Sequence, residues 1–343
     1  MHPHLPGAIP MLAAYITQPG PADSIQIGEL PTPQPGPGEL LVEISHSALN
    51  PIDVYIRAGT IPAKLPSQFI PHADFAGVVK AVGEGTSRFH VGAKVWGSNQ
   101  GMMGRQGTAS QFAAIHEDWC YPLPAGVDAA DAAAVALTGI TAHLGLFRTG
   151  ELKPGETVFV NGGTGGVGSM VVQMAKAHGA KVITTVGSAE KAQQCRDWGA
   201  DGVLNYKNDD VPAGIKSLTD GQGVDLWFET QRDPSFEQIV PLMKMRGRIV
   251  VIAGRAAKPA LPFGPFYTRD LSVRGFAMFN ATPSEQRRCA EDISRWLAAG
   301  KLQALIGQTF RLTQTAAAHA LLEANTLHNA GTLAGKVVVA CGE

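Results

Sequence analysis

The sequence predicts an α/β protein, a doubly wound parallel sheet joined to a second, β-rich unit. Three observations carry this reading. Thr157 to Lys191 (TVFVNGGTGGVGSMVVQMAKAHGAKVITTVGSAEK) reads as strand, glycine turn, helix, strand. From Thr157 to about Phe279 short apolar strands keep alternating with helical stretches, the pattern of a parallel sheet covered on both faces. Before it, residues 11–125 are short β segments punctuated by Pro and Gly.

Along the chain, MHPHLPGAIP lacks the basic start and apolar core of a signal peptide, so residues 1–10 read as an extension, with the first strand opening at Met11. Leu40 to Ser47 and Ala76 to Val82 are the clearest early strands. Pro31, Pro33, Pro35 and Pro37 form a stiff connector. Alanine-rich Asp128 to Leu146 predicts a long helix. In the alternating region, strands are expected at Val158 to Val160, Lys181 to Val186, Val203 to Asn205, Val224 to Phe228, Arg248 to Ala253 and Leu271 to Arg274. Beyond it come helices near Ser284 to Ala299 and Thr313 to Glu323, then a closing strand, Lys336 to Ala340, expected to pair back with the N-terminal unit. The domains expected are 11–133 with 280–343, and 134–279.

The bulk properties exclude several function classes. The chain has 343 residues, 45% of them apolar and 17% charged, which suits two globular domains. A net charge of −1 and no Lys/Arg run argue against nucleic acid or an anionic membrane as partner. No apolar stretch reads as long enough to span a bilayer. Cys120, Cys195, Cys289 and Cys341 show neither disulfide density nor C-x-x-C spacing, so a reducing, cytoplasmic setting is expected.

Gly163, Gly165 and Gly168 fall at G-x-G-x-x-G spacing between strand and helix. The first would allow a tight turn, the second the approach of a pyrophosphate, the third close packing of helix on sheet. The helix expected from about Val167 to Ala177 would aim its free N–H groups and positive dipole end at that phosphate, with Gly166 and Val167 as expected cofactor contacts. A dinucleotide is the expected ligand. The turn after the second strand selects which one. NAD sites place Asp or Glu there for the ribose 2′-OH. This chain has Gly187 and Ser188, with Lys191 one helical turn on, which favours NADPH. The alternative is that Glu190 binds the ribose and Lys191 is solvated.

A β-rich unit, a dinucleotide unit and a C-terminal return to the first resemble the medium-chain dehydrogenase/reductase superfamily, and within it the zinc-independent quinone oxidoreductase and ζ-crystallin branch. The residues that carry the resemblance are Asn50-Pro-Ile-Asp-Val-Tyr-Ile-Arg-Ala-Gly59, Asp74-Phe-Ala-Gly77, Thr141, Gly162 to Gly168 and Gly335-Lys336. It implies a Rossmann NADPH-binding domain and a GroES-like catalytic domain. It implies that Gly187, Ser188, Lys191 and Tyr206 hold the 2′-phosphate, that Asn50 and Thr141 lie near the nicotinamide, and that Gly254, Arg255, Phe279, Asn280 and Lys336 contact the cofactor. Tyr206 could equally be an ordinary half-buried tyrosine, and Arg255 a surface charge.

Zinc alcohol dehydrogenases share the resembled architecture. By resemblance their first Cys ligand falls at Asn50 and their third ligand at Leu137, while Gly-His-Glu appears as His72-Ala73-Asp74, with the histidine one residue early. A one-residue slip in a strand turns a side chain to the opposite face, and Gly97 to Trp119 has no cysteines for a structural zinc. No metal ligand is therefore expected, and His72 reads as a hydrogen-bonded loop histidine. The implied chemistry is hydride transfer from NADPH to a quinone, with Tyr55 and Asn50 as candidate catalytic donors to the acceptor oxygen. Tyr55 could instead wall the cleft, and Asn50 order its turn. The alternatives are an enone or alkenal reductase and a non-catalytic, NADPH-binding, ζ-crystallin-like protein. Ile61 stands where some family members, enoyl-thioester reductases among them, have a second tyrosine, which weakens an acyl-thioester substrate. A homodimer is expected, because the sixth strand near Leu271 to Phe276 would leave an open sheet edge.

Overall fold

The computed structural model describes residues 9–328 and 330–342. Of the expected extension, residues 1–8 lie outside the described residues. Ile9 is exposed, and the first strand opens at Pro10 rather than Met11. The chain forms two compact units. One runs up to Leu137 and resumes at Pro283; the other is Thr138–Thr282.

The first unit begins with the antiparallel pair Pro10–Tyr15 (β1) and Gln26–Pro31 (β2). Its main sheet starts with Glu39–Ala48 (β3), where Leu40, Val42 and Ile44 alternate into the core. Helix Pro51–Arg57 (α1) follows, and then Asp74–Val82 (β4), Lys94–Gly97 (β5), Phe112–His116 (β6) and Cys120–Pro122 (β7). Helix Ala129–His143 (α2) carries the chain from the first unit into the second, where it continues as a π-helical turn, Leu144–Thr149. Together they make a stretch, Ala129–Thr149, that is long and apolar enough to cross a membrane, contrary to the sequence reading. However, 78% of its apolar window is buried inside the protein, as in a core helix.

The second unit holds Thr157–Val160 (β8), Gly166–Ala177 (α3), Lys181–Val186 (β9), Ala189–Asp197 (α4), Gly202–Asn205 (β10), Val211–Leu218 (α5), Val224–Glu229 (β11), Phe236–Ile239 (α6), Met243–Val251 (β12), Phe263–Tyr267 (α7) and Ser272–Gly275 (β13). The six strands are parallel in the order β10-β9-β8-β11-β12-β13. The order reverses between β8 and β11, the switch point at which open α/β sheets take their ligands. Phe159, Ile183, Trp227 and Ile249 form its core.

The chain then returns to the first unit with Pro283–Ala298 (α8), Ile306–Arg311 (β14), Thr315–Leu327 (α9) and Lys336–Ala340 (β15). β15 pairs antiparallel with β3, so the closing strand returns to the N-terminal unit as expected, and it also pairs parallel with β14, which was not expected. The resulting sheet runs β14-β15-β3-β4-β5-β7, with β6 also on β3.

Candidate active site

The glycine turn follows directly from the buried strand β8. The positive φ sits at Gly162 (+87°), one residue before the triplet, not at Gly163. Gly163 is needed for closeness instead. A Cβ there would lie 2.3 Å from Thr184 Oγ1, and one at Gly168 would lie 2.0 Å from the Gly162 carbonyl. Gly165, the N-cap of α3, is different: a Cβ would meet only the Gly162 oxygen, at 3.4 Å. The space beside it is open, next to the leading N–H groups of a twelve-residue helix that begins with Gly166 and Val167. The cradle therefore fits an anionic pyrophosphate.

At the end of β9, Ser188 caps α4, its Oγ accepting from Lys191 N at 3.3 Å. The Ser188 hydroxyl hydrogen is left over for a ligand. The Lys191 amine has no partner among the described residues. Glu190 is exposed in the first turn of α4. Tyr206 is not half-buried but 58% exposed, and its hydroxyl covers Gly187, where a Cβ would lie 2.3 Å from it. So Gly187, Ser188, Lys191 and Tyr206 are brought together. Thr141 is buried on α2. Gly254 turns with φ +87° beyond β12, Arg255 beside it is exposed, and Phe279 and Asn280 form a single 3-10 turn beyond β13.

In the first unit Asn50 caps α1, with Pro51 at the first helical position. Both ends of its buried amide are engaged. Nδ2 donates to Asp74 Oδ2 at 2.8 Å, and Oδ1 accepts from Lys336 Nζ at 2.5 Å. Its backbone N–H donates to Asp53 Oδ2 at 2.7 Å. Lys336 Nζ also donates to the Leu49 carbonyl at 2.7 Å and lies 3.6 Å from Asp74. The Lys336 ammonium, at a position the resemblance assigns to cofactor contact, is bonded to Leu49 and Asn50. Asp74 further accepts from Ser98 Oγ at 2.6 Å and Leu137 N at 3.1 Å. Thus the positions that the resemblance equates with zinc ligands, Asn50 and Leu137, are tied to one carboxylate. Tyr55 is half-buried on α1, outside this cluster.

Burial raises the Asp74 carboxyl, opposed by Lys336 and by donors from Asn50, Ser98 and Leu137. Burial and then the Asp74 charge push Asp53 up to about 8. Burial lowers Lys336, opposed by the two carboxylates. One ammonium balances one carboxylate, and Asp74, with its many donors, holds that charge. Asp53 was not singled out from the sequence. An acid three residues after an N-cap Asn is the signal that points to it.

His72 is a hydrogen-bonded loop histidine, but the strand argument for its orientation does not apply. β4 begins at Asp74, and His72 precedes it with φ +81°. Nδ1 meets Ser47 Oγ at 2.8 Å, and Nε2 meets His319 Nε2 at 3.1 Å. Burial, then Lys336, lowers its pKa to about 3. Among the described residues no three His, Cys, Asp or Glu side chains are grouped to hold a metal ion. All four cysteines are free and buried.

Residues 36–125 match the alcohol dehydrogenase GroES-like domain family, and residues 166–297 the family described as zinc-binding dehydrogenase. The second stretch contains none of Asn50, His72 and Asp74. A quinone oxidoreductase of Pseudomonas aeruginosa is 33% identical over 300 residues, 85% of this chain and 89% of that protein. The chain belongs to the medium-chain dehydrogenase/reductase superfamily, in its quinone oxidoreductase branch. Like other members it pairs a GroES-like unit with a Rossmann unit, and it is an oxidoreductase with a nicotinamide-dinucleotide site. Among solved structures of the superfamily, an NAD-dependent alcohol dehydrogenase is 31% identical with a TM-score of 0.86, covering 97% of this chain and 100% of its own. Escherichia coli quinone oxidoreductase complexed with NADPH is 27% identical with a TM-score of 0.83, covering 96% and 99%.

Proposed function

We propose that this protein is a zinc-independent, NADPH-dependent reductase of quinones that works as a cytoplasmic homodimer. The observation that carries the reading is the closed set Asn50, Asp74 and Lys336. At the resembled position of a zinc thiolate stands a neutral amide already bonded at both ends, and at Leu137 stands a side chain with no ligand atom. Such a donor set suits acceptors that need no Lewis acid. Its relatives bear the name quinone oxidoreductase.

Gly165, Gly166 and Val167 hold the pyrophosphate, with Gly163 and Gly168 keeping turn, sheet and helix close. Ser188 and Lys191 bind the 2′-phosphate beside Gly187 and Tyr206. Thr141, Gly254, Arg255, Phe279 and Asn280 are assigned to the rest of the cofactor. Bound NADPH supplies a hydride. Asn50 offers its second Nδ2 proton where negative charge builds on the acceptor oxygen. Tyr55 lines the acceptor site and presents a second donor there, its hydroxyl.

The test is NADPH oxidation against a panel of ortho-quinones and α,β-unsaturated ketones, with zinc measured on the same preparation. Turnover of quinones without stoichiometric zinc is expected. Preference for the enones would favour an alkenal reductase using the same residues. NADPH binding without turnover of either class would favour a ζ-crystallin-like binding role. One zinc per chain would defeat the metal-free reading.

A further inference from the structure

We propose that Glu229, through Asn161 and Thr185, is the positioning residue that sets the glycine turn for nucleotide binding. It rests on the reading of that turn as the NADPH pyrophosphate site.

Glu229 ends β11 and Asn161 follows β8, so the two flank the switch point where the strand order reverses. Glu229 is 2% exposed, a carboxylate with no cation among its hydrogen-bond partners. Three donors converge on it. Gln231 N donates to Oε1 at 2.7 Å, Trp227 Nε1 to Oε2 at 3.0 Å, and Asn161 Nδ2 reaches both oxygens at 3.2 Å. Burial raises its pKa, opposed by these donors and by the Thr230 backbone N–H.

The donors fix the direction of everything that follows. An Asn side chain has a donating and an accepting end, and its partners decide which end faces which way. With Nδ2 turned to an acceptor-only carboxylate, Asn161 Oδ1 faces the other way and accepts from Thr185 Oγ1 at 2.9 Å. That commits the Thr185 hydroxyl hydrogen, so Thr185 Oγ1 must accept in turn, and it does so from the Gly162 N–H at 2.9 Å. Gly162 is the turn residue with φ +87° that places Gly163 to Gly168. Thr230 Oγ1 donates to the Asn161 carbonyl from the other side. The relay thus runs from the turn to the carboxylate with one permitted polarity, and a buried polar chain of this kind holds its shape only when every member is satisfied.

Glutamine at 229 has the same shape and the wrong polarity, because it sets an NH2 against converging donors. Glu229→Gln is therefore expected to raise the NADPH dissociation constant at least tenfold, read by nucleotide fluorescence or calorimetry. The loss should appear in KM for NADPH rather than in kcat at saturation. Thr185→Val, which breaks one link and keeps the shape, should weaken NADPH several-fold. In Glu229→Gln/Asn161→Asp the pair is reversed, so a donating Gln meets an accepting Asp and binding should recover part of the loss. Glu229→Gln and Thr185→Val proteins that bind NADPH as tightly as wild type would overturn the relay. So would a double variant that binds no better than Glu229→Gln alone. If Glu229→Gln does not fold, Thr185→Val decides by itself. Wild-type protein that fails to bind NADPH would instead defeat the reading of the turn, which separates the two failures.

Discussion

Lys191 and Asp53 show how single side chains carry the site's electrostatics. Lys191 presents an amine that is unpaired among the described residues beside an N-cap hydroxyl, with no acid at the end of β9. Lys191→Ala should cost NADPH roughly 1–3 kcal/mol of binding, as for one charge-assisted contact, and leave NADH nearly unchanged. Titrations showing equal losses for both cofactors would return the ribose to Glu190. Asp53 works through protonation. Its folded pKa of about 8 lies above the ordinary 3.8. Between those values the folded protein keeps a proton that the unfolded chain has released, so stability falls as pH rises through the window and levels off above it. Asp53→Asn has no charge to bury and keeps an oxygen for the Asn50 N–H. Thermal unfolding from about pH 5 to about pH 8 should therefore shift in favour of the variant. A constant gap between the two proteins would mean that Asp53 is ionised throughout. Lys191 and the glycines were legible in the sequence because residue type and spacing declare them, and Asn50 was legible only through the family resemblance. The Asn50–Asp74–Lys336 cluster was not legible, because its members are up to 286 residues apart and meet only when β15 pairs with β3.

At the scale of the element, the glycine turn and α3 separate packing from binding. Gly168 is closed against the turn's own backbone, whereas Gly165 has φ −68° and open space. Gly165→Ala should fold with a stability change of about 1 kcal/mol or less. If the pyrophosphate crosses the backbone there, the added methyl should abolish tight NADPH binding. Gly168→Ala should lose stability and binding together, because its Cβ overlaps the Gly162 carbonyl. Unfolding curves and NADPH titrations on the two variants check this, and a Gly165→Ala protein with normal affinity would move the phosphate elsewhere. The elements that the sequence revealed were the strongly patterned ones: β9 and β15 fall where their apolar runs put them, and α3 within a residue. β14 escaped because IGQTFR has no buried residue to mark a face. The left-handed His72 also escaped, since it takes its conformation from the neighbours around it rather than from its own residue type.

For the molecule as a whole, acceptor choice is the least legible property, because the loops Gly59 to Ser67 and Gly97 to Gly107 have compositions that do not dictate their shape. Assembly has a clearer physical basis. β13 ends the parallel sheet with β12 on one side only. Its exposed positions, Val273 and Gly275, carry none of the charge that protects a solitary edge. Nearby in the chain, α7 exposes Phe263 (69%) and Tyr267 (62%). A twofold-related copy would pair one such edge with another and cover this apolar surface. Light scattering on a sizing column should then give about twice the chain mass of 36.0 kDa. Val273→Lys sets like charges across the twofold and should shift the population toward single chains while the NADPH dissociation constant stays near wild type. A wild-type protein that runs as a single chain at micromolar concentration, or a Val273→Lys protein as large as wild type, would take β13 out of the interface.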